Sequence, residues 1–97
     1  MTESPSSKKS FHIVVSGRVQ GVGYRYSTVR TAVKYRVFGW VRNNSDGSVE
    51  LECEGNSEDI DNFIKWLKVG PAGARVTSIE IKEKQYQGFY SNFAIEY

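Results

Sequence analysis

Cysteine and histidine are scarce in this chain of 97 residues, which contains one of each, Cys53 and His12. A single cysteine cannot form an internal disulfide, so the composition suits a reducing compartment. The chain also lacks the set of nitrogen and sulfur ligands that a typical zinc site requires. We predict a protein with no metal site and, more broadly, no cofactor.

Long apolar runs are absent as well, and no stretch is long enough for a membrane span or the core of a signal peptide. The net charge of +2 is too small to indicate bulk binding of nucleic acid. The hydrophobic fraction of 39% is nevertheless that of a folded domain. We predict a cytoplasmic monomer that binds neither nucleic acid nor membranes.

The first ten residues, MTESPSSKKS, are polar and offer almost nothing to bury. Such a composition is typical of a loose terminal segment. The remaining length corresponds to one small domain. We therefore expect residues 1–10 to form a flexible polar tail and residues 11–97 to form the domain.

The most distinctive stretch is the glycine-rich segment 17–25, which reads GRVQGVGYR. An alternating apolar run, Phe11 to Val15, precedes it, and a segment with helical spacing, Tyr26 to Val33, follows it. A strand that turns through glycines into a helix N-terminus directs several backbone N–H groups to one point, with the helix dipole behind them. Arg25 would lie in the first helical turn, where a guanidinium can bind two phosphate oxygens. We predict a phosphate cradle, and the alternative is an ordinary glycine-rich turn.

The amino-acid sequence of this loop excludes three better-known phosphate-binding motifs. No Lys-Ser/Thr pair follows Gly21 or Gly23, as a P-loop requires, and the glycine spacing differs from that of the dinucleotide fingerprint. A cysteine phosphatase would place a thiol six residues before the arginine, where this chain has Val19. The loop is therefore predicted to bind an anion without supplying a nucleophile.

Beyond the loop, the pattern alternates between strands and helices. Apolar residues at Tyr26, Val29, Ala32 and Val33 predict a first helix that packs on a sheet through this stripe. Strand-like segments are expected at 35–41, 48–54, 77–81 and 93–97, with a hairpin turn at Asp46-Gly47.

A second amphipathic helix is predicted from the spacing of Ile60, Phe63, Ile64 and Leu67. The order of elements then predicts an α+β fold, the ferredoxin-like βαββαβ sandwich. We expect a mostly antiparallel sheet with two helices on one face and a short terminal strand. Cys53 shares the face of Val49 and Leu51, so it is expected to be a buried, inert thiol.

A cradle without a nucleophile needs a group that positions water, and Asn43 is the candidate. It lies at the end of a predicted strand, just before the hairpin turn. An amide can accept a hydrogen bond from water and donate another, although it cannot act as a general base. By itself an asparagine beside a hairpin is more commonly a turn residue. His12 alternates to the outer face of its strand and is interpreted as a strand residue rather than a base.

These segments together resemble the signature of the acylphosphatase family. The resemblance rests on GRVQGVGYR at 17–25, GWVRN at 39–43, DGSVE at 46–50 and EG at 54–55. It continues through Gly70-Pro71, Arg75-Val76 and the terminal Phe93-x-Ile95-x-Tyr97, so it covers the chain from about Ile13 onward. It implies a ferredoxin-like fold and hydrolysis of acyl phosphates to a carboxylate and inorganic phosphate without metal.

The resemblance also implies roles for individual residues. Arg25 would bind the phosphoryl group, and Asn43 would orient the attacking water. Backbone amides of the loop would hold the phosphate oxygens, and the residues concerned are Arg18, Val19, Gln20, Gly21, Val22, Gly23 and Tyr24. The substrate would be a small acyl phosphate, with inorganic phosphate as product and inhibitor.

Two positions depart from the family pattern. The family usually has Phe before the catalytic arginine, where this chain has Tyr24, and the aromatic ring is kept. It also tends to have Gly at the end of the first helix, where this chain has Arg36. A left-handed conformation there would cost a non-glycine residue about 1 kcal/mol.

Two other functions are compatible with the same fold. One is an RNA-binding module, but the basic and aromatic strand motif of such modules is not matched by Phe38-Gly39-Trp40. The other is a free-standing relative of the acylphosphatase-like domain of hydrogenase-maturation proteins, which handles carbamoyl phosphate. A turnover assay with a generic acyl phosphate distinguishes an enzyme from a binding module.

Overall fold

The computed structural model describes residues 7–97. Its elements, in chain order, are β1 (Lys8–Arg18), α1 (Tyr24–Lys34), β2 (Phe38–Asn43), β3 (Val49–Asn56), α2 (Ser57–Leu67), β4 (Arg75–Lys84) and β5 (Phe93–Ile95). The strand and helix order confirms the predicted α+β, ferredoxin-like fold. Residues 1–6 of the predicted tail lie outside the described residues, so that part of the expectation stays a prediction.

The five strands form one sheet in the order β4-β1-β3-β2-β5. Strand β1 is antiparallel to β3 and β4, β2 is antiparallel to β3, and only the pairing of β5 with β2 is parallel among these strands. Helix α1 packs against β2 and β5, α2 packs against β1 and β3, and the helices touch each other. Both helices therefore cover one face of a mostly antiparallel sheet.

The core lies between this face and the helices. Strand residues Ile13, Leu51 and Val41 are fully buried there, opposite Ile60, Phe63 and Leu67 of α2. The predicted apolar stripe of α2 is thus confirmed, with Ile64 half-buried at its margin. Cys53 is fully buried in the same core, and burial raises the pKa of its thiol to about 12, which keeps the thiol protonated at neutral pH.

The stripe predicted for the first helix is wrong at two positions. Tyr26 and Val33 are 64% and 68% exposed, whereas Tyr24, Thr28 and Ala32 are buried. The helix begins at Tyr24, two residues earlier than expected, so its buried face follows the spacing 24, 28, 32. Polar groups on that face are satisfied, because Tyr24 OH donates to the Leu67 carbonyl and Thr28 Oγ1 donates to the Tyr24 carbonyl, both at 2.7 Å. A count of apolar residues alone could not find this face.

Strand boundaries also differ from the predicted ones. Strand β1 begins at Lys8, three residues before Phe11, because Lys8, Lys9 and Ser10 pair with the end of β3. Strand β2 begins at Phe38 rather than Tyr35, since residues 35 and 36 form the turn that follows α1. Arg36 has a φ of 58°, the left-handed conformation that the family resemblance suggested for this position.

Candidate active site

The glycine-rich loop leaves the sheet through a bulge at Gly17. The pairing of β1 with β4 shifts register between Ser16 and Gly17, and Gly17 has a φ of 124°. A Cβ at this position would lie 2.1 Å from the carbonyl oxygen of Arg75, so only glycine fits without moving β4. The close approach of β4 fixes the point at which the loop turns toward α1.

The loop then ends at the N-terminus of α1. Gly21 and Gly23 both have positive φ, 76° and 78°, and Gly23 is the N-cap residue. Among residues 7–97, no side chain caps this helix end, and its first turn contains no acidic residue, whereas the first turn of α2 contains Glu58 and Asp59. The first-turn N–H groups and the positive end of the α1 dipole are thus left without a capping side chain or an acidic residue in that turn.

A pocket of about 140 Å³ lies at this helix end. Its lining comes from the loop, α1, the last residue of β2 and the last residue of β5, namely Val19, Gly21, Gly23, Tyr24, Arg25, Tyr26, Asn43 and Ile95. The structure therefore brings the two predicted functional side chains, Arg25 and Asn43, to the same pocket. Its volume is suited to a phosphate-sized group rather than to a large ligand.

Three of the predicted loop residues do not line this pocket. Gln20 instead donates from Nε2 to the carbonyls of Asn44 at 2.7 Å and Ser48 at 2.9 Å, which ties the loop to the β2–β3 hairpin. Val22 is half-buried against the core, and Arg18 is exposed at the end of β1, paired with β4. Gln20 thus holds the loop beside the strand end that carries Asn43.

Asn43 supplies an acceptor that nothing in the described chain uses. Its Oδ1 is buried and has no hydrogen-bond partner among residues 7–97. Leaving a buried polar atom unpaired costs about 1–3 kcal/mol, and most such atoms in proteins are paired. The position, on the wall of the pocket, suits a donor that comes from outside the protein, such as water.

Arg25 is half-buried in the first turn of α1, and its guanidinium lies 5.6 Å from the ring centre of Tyr97. No carboxylate of the described residues lies within ion-pairing distance of it. A ring under the face of a guanidinium orients the group but leaves its in-plane N–H donors free. Arg25 is therefore available to a ligand anion.

The sequence did not indicate that Tyr26, Ile95 and Tyr97 border the site. Ile95 reaches it because β5 pairs in parallel with β2 and brings Ile95 opposite Val41, two residues before Asn43. Tyr97 follows two residues later and contacts Arg25, although it is fully exposed. Only the terminal Phe93-x-Ile95-x-Tyr97 pattern in the family resemblance hinted at this contribution.

The pocket combines a cationic side chain with a helix N-terminus. Of the residues that the structure describes, no carboxylate, histidine or cysteine lines it, and desolvation raises the pKa of the Tyr24 phenol well above its usual range, so this phenol stays neutral. The residues present can bind a phosphate group and orient water, but they include no side chain that takes a proton at neutral pH. Fold and pocket together define a small α+β domain with a cationic pocket at a helix N-terminus.

Comparison with known proteins identifies the family. The family model described as Acylphosphatase matches residues 11–95 of this chain. The acylphosphatase of Methylococcus capsulatus is 45% identical over 87 residues, which are 90% of this chain and 95% of that protein. The chain belongs to the acylphosphatase family of hydrolases, as the sequence signature predicted.

Solved structures agree with this assignment. The structure of an acylphosphatase from Coxiella burnetii superimposes with a TM-score of 0.89 at 35% identity, over 99% of this chain and all of that one. The crystal structure of acylphosphatase from Bacillus subtilis gives a TM-score of 0.88 at 37% identity, over 92% and 99% of the two chains. The family assignment favours an enzyme over the RNA-binding alternative.

Within residues 7–97, no helix combines the length and the apolar character needed to span a membrane. In the same range, no three of the His, Cys, Asp and Glu side chains are grouped so that they could share a metal ion.

Proposed function

We propose that this protein is an acylphosphatase that hydrolyses the carboxyl-phosphate bond of a small acyl phosphate. The observation that carries the proposal is the meeting of Arg25 and Asn43 in one pocket at the N-terminus of α1, together with an Asn43 Oδ1 that has no hydrogen-bond partner among residues 7–97. A phosphoryl group needs positive potential and oriented donors, and a water needs one fixed acceptor. The pocket supplies both.

Binding of the phosphoryl group falls to the loop and to Arg25. The N–H groups of the first turn of α1 and of the loop residues that line the pocket would donate to its oxygens, supported by the helix dipole, and these loop residues are Val19, Gly21, Gly23 and Tyr24. Arg25 would donate two further hydrogen bonds in a fork. Because these donors are fixed before the substrate arrives, they also stabilise charge that shifts onto the oxygens in the transition state.

Asn43 would orient the attacking water by accepting one of its hydrogen bonds at Oδ1. The water oxygen forms a bond to phosphorus while the bond between phosphorus and the carboxylate oxygen breaks, and the carboxylate leaves with that electron pair. An amide does not accept the proton. The proton therefore passes to a phosphoryl oxygen, and the products are the carboxylate and inorganic phosphate.

The proposal includes neither a metal ion nor a phosphorylated protein. Cys53 lies in the core, apart from the pocket lining, and the loop contains no other nucleophile suited to phosphoryl transfer. Turnover is thus expected to survive EDTA and the substitution Cys53→Ser. A phosphoenzyme trapped by rapid quenching in a single turnover would contradict direct attack by water.

The two functional residues are expected to fail differently when they are replaced. Arg25→Lys keeps the charge but loses the fork, so both phosphate affinity and turnover of benzoyl phosphate should fall. Asn43→Ala removes only the acceptor for water, so kcat should fall by roughly 10²–10³-fold with little change in phosphate affinity. Steady-state kinetics and phosphate titration measure the two effects.

Asn62→Ala, on α2 and away from the pocket, is a suitable control because it removes the same side chain at a half-buried position. It should keep near-normal kcat, and circular dichroism should show all three variants folded. The assignment of Asn43 is wrong if folded Asn43→Ala keeps near-normal kcat. It is also wrong if this variant loses phosphate affinity as strongly as Arg25→Lys.

Product inhibition gives a further prediction for the same pocket. Inorganic phosphate and sulfate should compete with the acyl phosphate, because the cradle recognises a tetrahedral anion rather than the acyl group. Competition should weaken only in part as ionic strength rises, since a recessed site is screened less than an exposed one. Initial rates at several phosphate concentrations test this, and purely non-competitive inhibition would place the anion site elsewhere.

A further inference from the structure

The charges of this chain are strongly segregated along its sequence. Residues 4–45 contain 8 of the 13 lysines and arginines and none of the 11 aspartates and glutamates. Helix α1 lies wholly within this segment and carries Arg25, Arg30 and Lys34. Its exposed surface is therefore cationic without any acidic neighbour on the same helix.

All three cations of α1 are oriented by aromatic rings. Arg25 lies over Tyr97, Arg30 lies 6.0 Å from the ring centre of Tyr26, and Lys34 lies 5.2 Å from that of Tyr35. Among the described residues, no carboxylate is within ion-pairing distance of any of them, although Arg42 and Lys84 on the sheet are paired with glutamates. Contact with a ring leaves the N–H donors of a cation free for an anion.

Two of these cations border a groove between α1 and α2. The groove has a volume of about 370 Å³, larger than the catalytic pocket, and its lining residues are Ser27, Arg30, Thr31, Lys34, Trp66 and Pro71. The α1 residues are spaced 27, 30, 31 and 34, so they form one helical face. Within the described part of the chain, this lining combines two cations, two hydroxyl side chains and an indole, and it includes no acidic group.

We propose that this groove is a second anion site, which binds a phosphate monoester carried on a flat ring. Arg30 and Lys34 would bind the phosphate, as guanidinium and ammonium groups commonly do. The half-buried Trp66 would provide a surface against which the ring of the ligand packs. The site is separate from the catalytic pocket and does not depend on the proposed reaction.

The indole of Trp66 also connects the groove to the catalytic pocket. Its ring centre lies 5.6 Å from that of Tyr24, and Tyr24 lines the catalytic pocket. A ligand in the groove would therefore rest on the side chain that packs directly behind the cradle. This contact makes the indole N–H of Trp66 a sensitive local probe of occupancy.

Nuclear magnetic resonance titration of the full chain with phenyl phosphate tests the proposal. Phenyl phosphate should shift the indole resonance of Trp66 and the backbone amides of residues 27–34, in addition to any shifts at the cradle. The double variant Arg30→Gln/Lys34→Gln should weaken binding at the groove roughly tenfold or more, while the cradle shifts persist. The matched double variant Lys65→Gln/Lys68→Gln removes the same charge from the last turn of α2 and its C-cap, outside the groove lining, and it should change the groove affinity less than about twofold.

Phenol and inorganic phosphate, titrated separately, each contain one half of the probe and should bind the groove more weakly than phenyl phosphate. The proposal is overturned if phenyl phosphate shifts only cradle resonances. It is also overturned if phenol alone produces the same shifts, or if the two double variants weaken binding equally. If only the cradle resonances shift, phenyl phosphate binds in the catalytic pocket alone. If the two double variants weaken binding equally, the affinity depends on the net charge of the protein and not on the groove.

Discussion

Arg25 and Asn43 reach the same pocket for different structural reasons. Arg25 is placed by the start of α1, which follows two glycines in left-handed conformations. Asn43 is placed by the end of β2, where the pairing with Val49 is the last of the β2–β3 ladder. The two positions are held together by Gln20, whose amide donates to the hairpin that follows Asn43. Gln20 thus connects the glycine-rich loop to the strand end that carries Asn43.

Arg36 is a residue for which strain and charge oppose each other. Its left-handed φ of 58° costs about 1 kcal/mol, and a cation at a helix C-terminus returns about 0.3–1 kcal/mol. Arg36→Gly should therefore raise the free energy of unfolding by between zero and about 1 kcal/mol. Arg36→Ala keeps the strain and loses the charge, so it should not be stabilising. Urea denaturation measures both, and a clear loss of stability in Arg36→Gly would show that the side chain packs or pairs.

At the residue scale, the sequence predicted the site best at positions where binding of an anion requires a particular residue type. The amino-acid sequence of residues 17–25 predicted an anion-binding loop, and it predicted Arg25 in the first helical turn, where the structure has it. It did not separate Gln20 from the loop residues that line the pocket, because a side chain that braces a loop has no distinct spacing. Tyr97 was not indicated as a site neighbour, since its contact with Arg25 depends on where β5 joins the sheet.

At the scale of elements, the two helices show why the buried face was predicted correctly for α2 and wrongly at two positions for α1. Helix α2 buries Ile60, Phe63 and Leu67, so its apolar pattern and its buried face coincide. Helix α1 buries Thr28 beside Tyr24 and exposes Val33, because hydrogen bonds within the helix and to Leu67 satisfy the polar atoms on the buried face. Apolar periodicity predicts a buried face only when burial follows hydrophobicity.

Strand β2 contains a glycine, Gly39, at a position where the neighbouring strand leaves no room for a side chain. Gly39 has a φ of 149°, and a Cβ there would lie 1.9 Å from the carbonyl oxygen of Glu52 on β3. Gly39→Ala should lower the free energy of unfolding by about 3 kcal/mol or more, from backbone strain and from the clash. Gly47→Ala, where φ is 96° but no atom is within 4 Å, should cost only about 1 kcal/mol. Equal losses in urea denaturation would show that β3 yields to the added methyl group.

At the scale of the whole molecule, the site depends on the order of the strands. The order β4-β1-β3-β2-β5 places the loop after β1, the end of β2 and the end of β5 at one end of the domain. The strand and helix order could be predicted from alternation and turn residues, and it indicated the ferredoxin-like fold. The parallel addition of β5 beside β2 could not be predicted, because three residues carry too little pattern to specify a partner strand.

The outer face of the sheet gives the last prediction, on acid stability. Glu50 of β3 accepts hydrogen bonds from His12 Nε2 at 2.6 Å and Arg42 Nη2 at 2.9 Å, and these partners, His12 foremost, lower the pKa of its carboxyl. A lowered pKa in the folded state stabilises the protein above the unfolded value, about 4.3, and this contribution is lost as pH falls through the folded value. Glu50→Gln should therefore cost about 1 kcal/mol at pH 7, and the two proteins should converge in stability toward pH 3. Urea denaturation across this range measures the gap. A gap that stays constant from pH 7 to pH 3 would show that the charge of Glu50 is not its source.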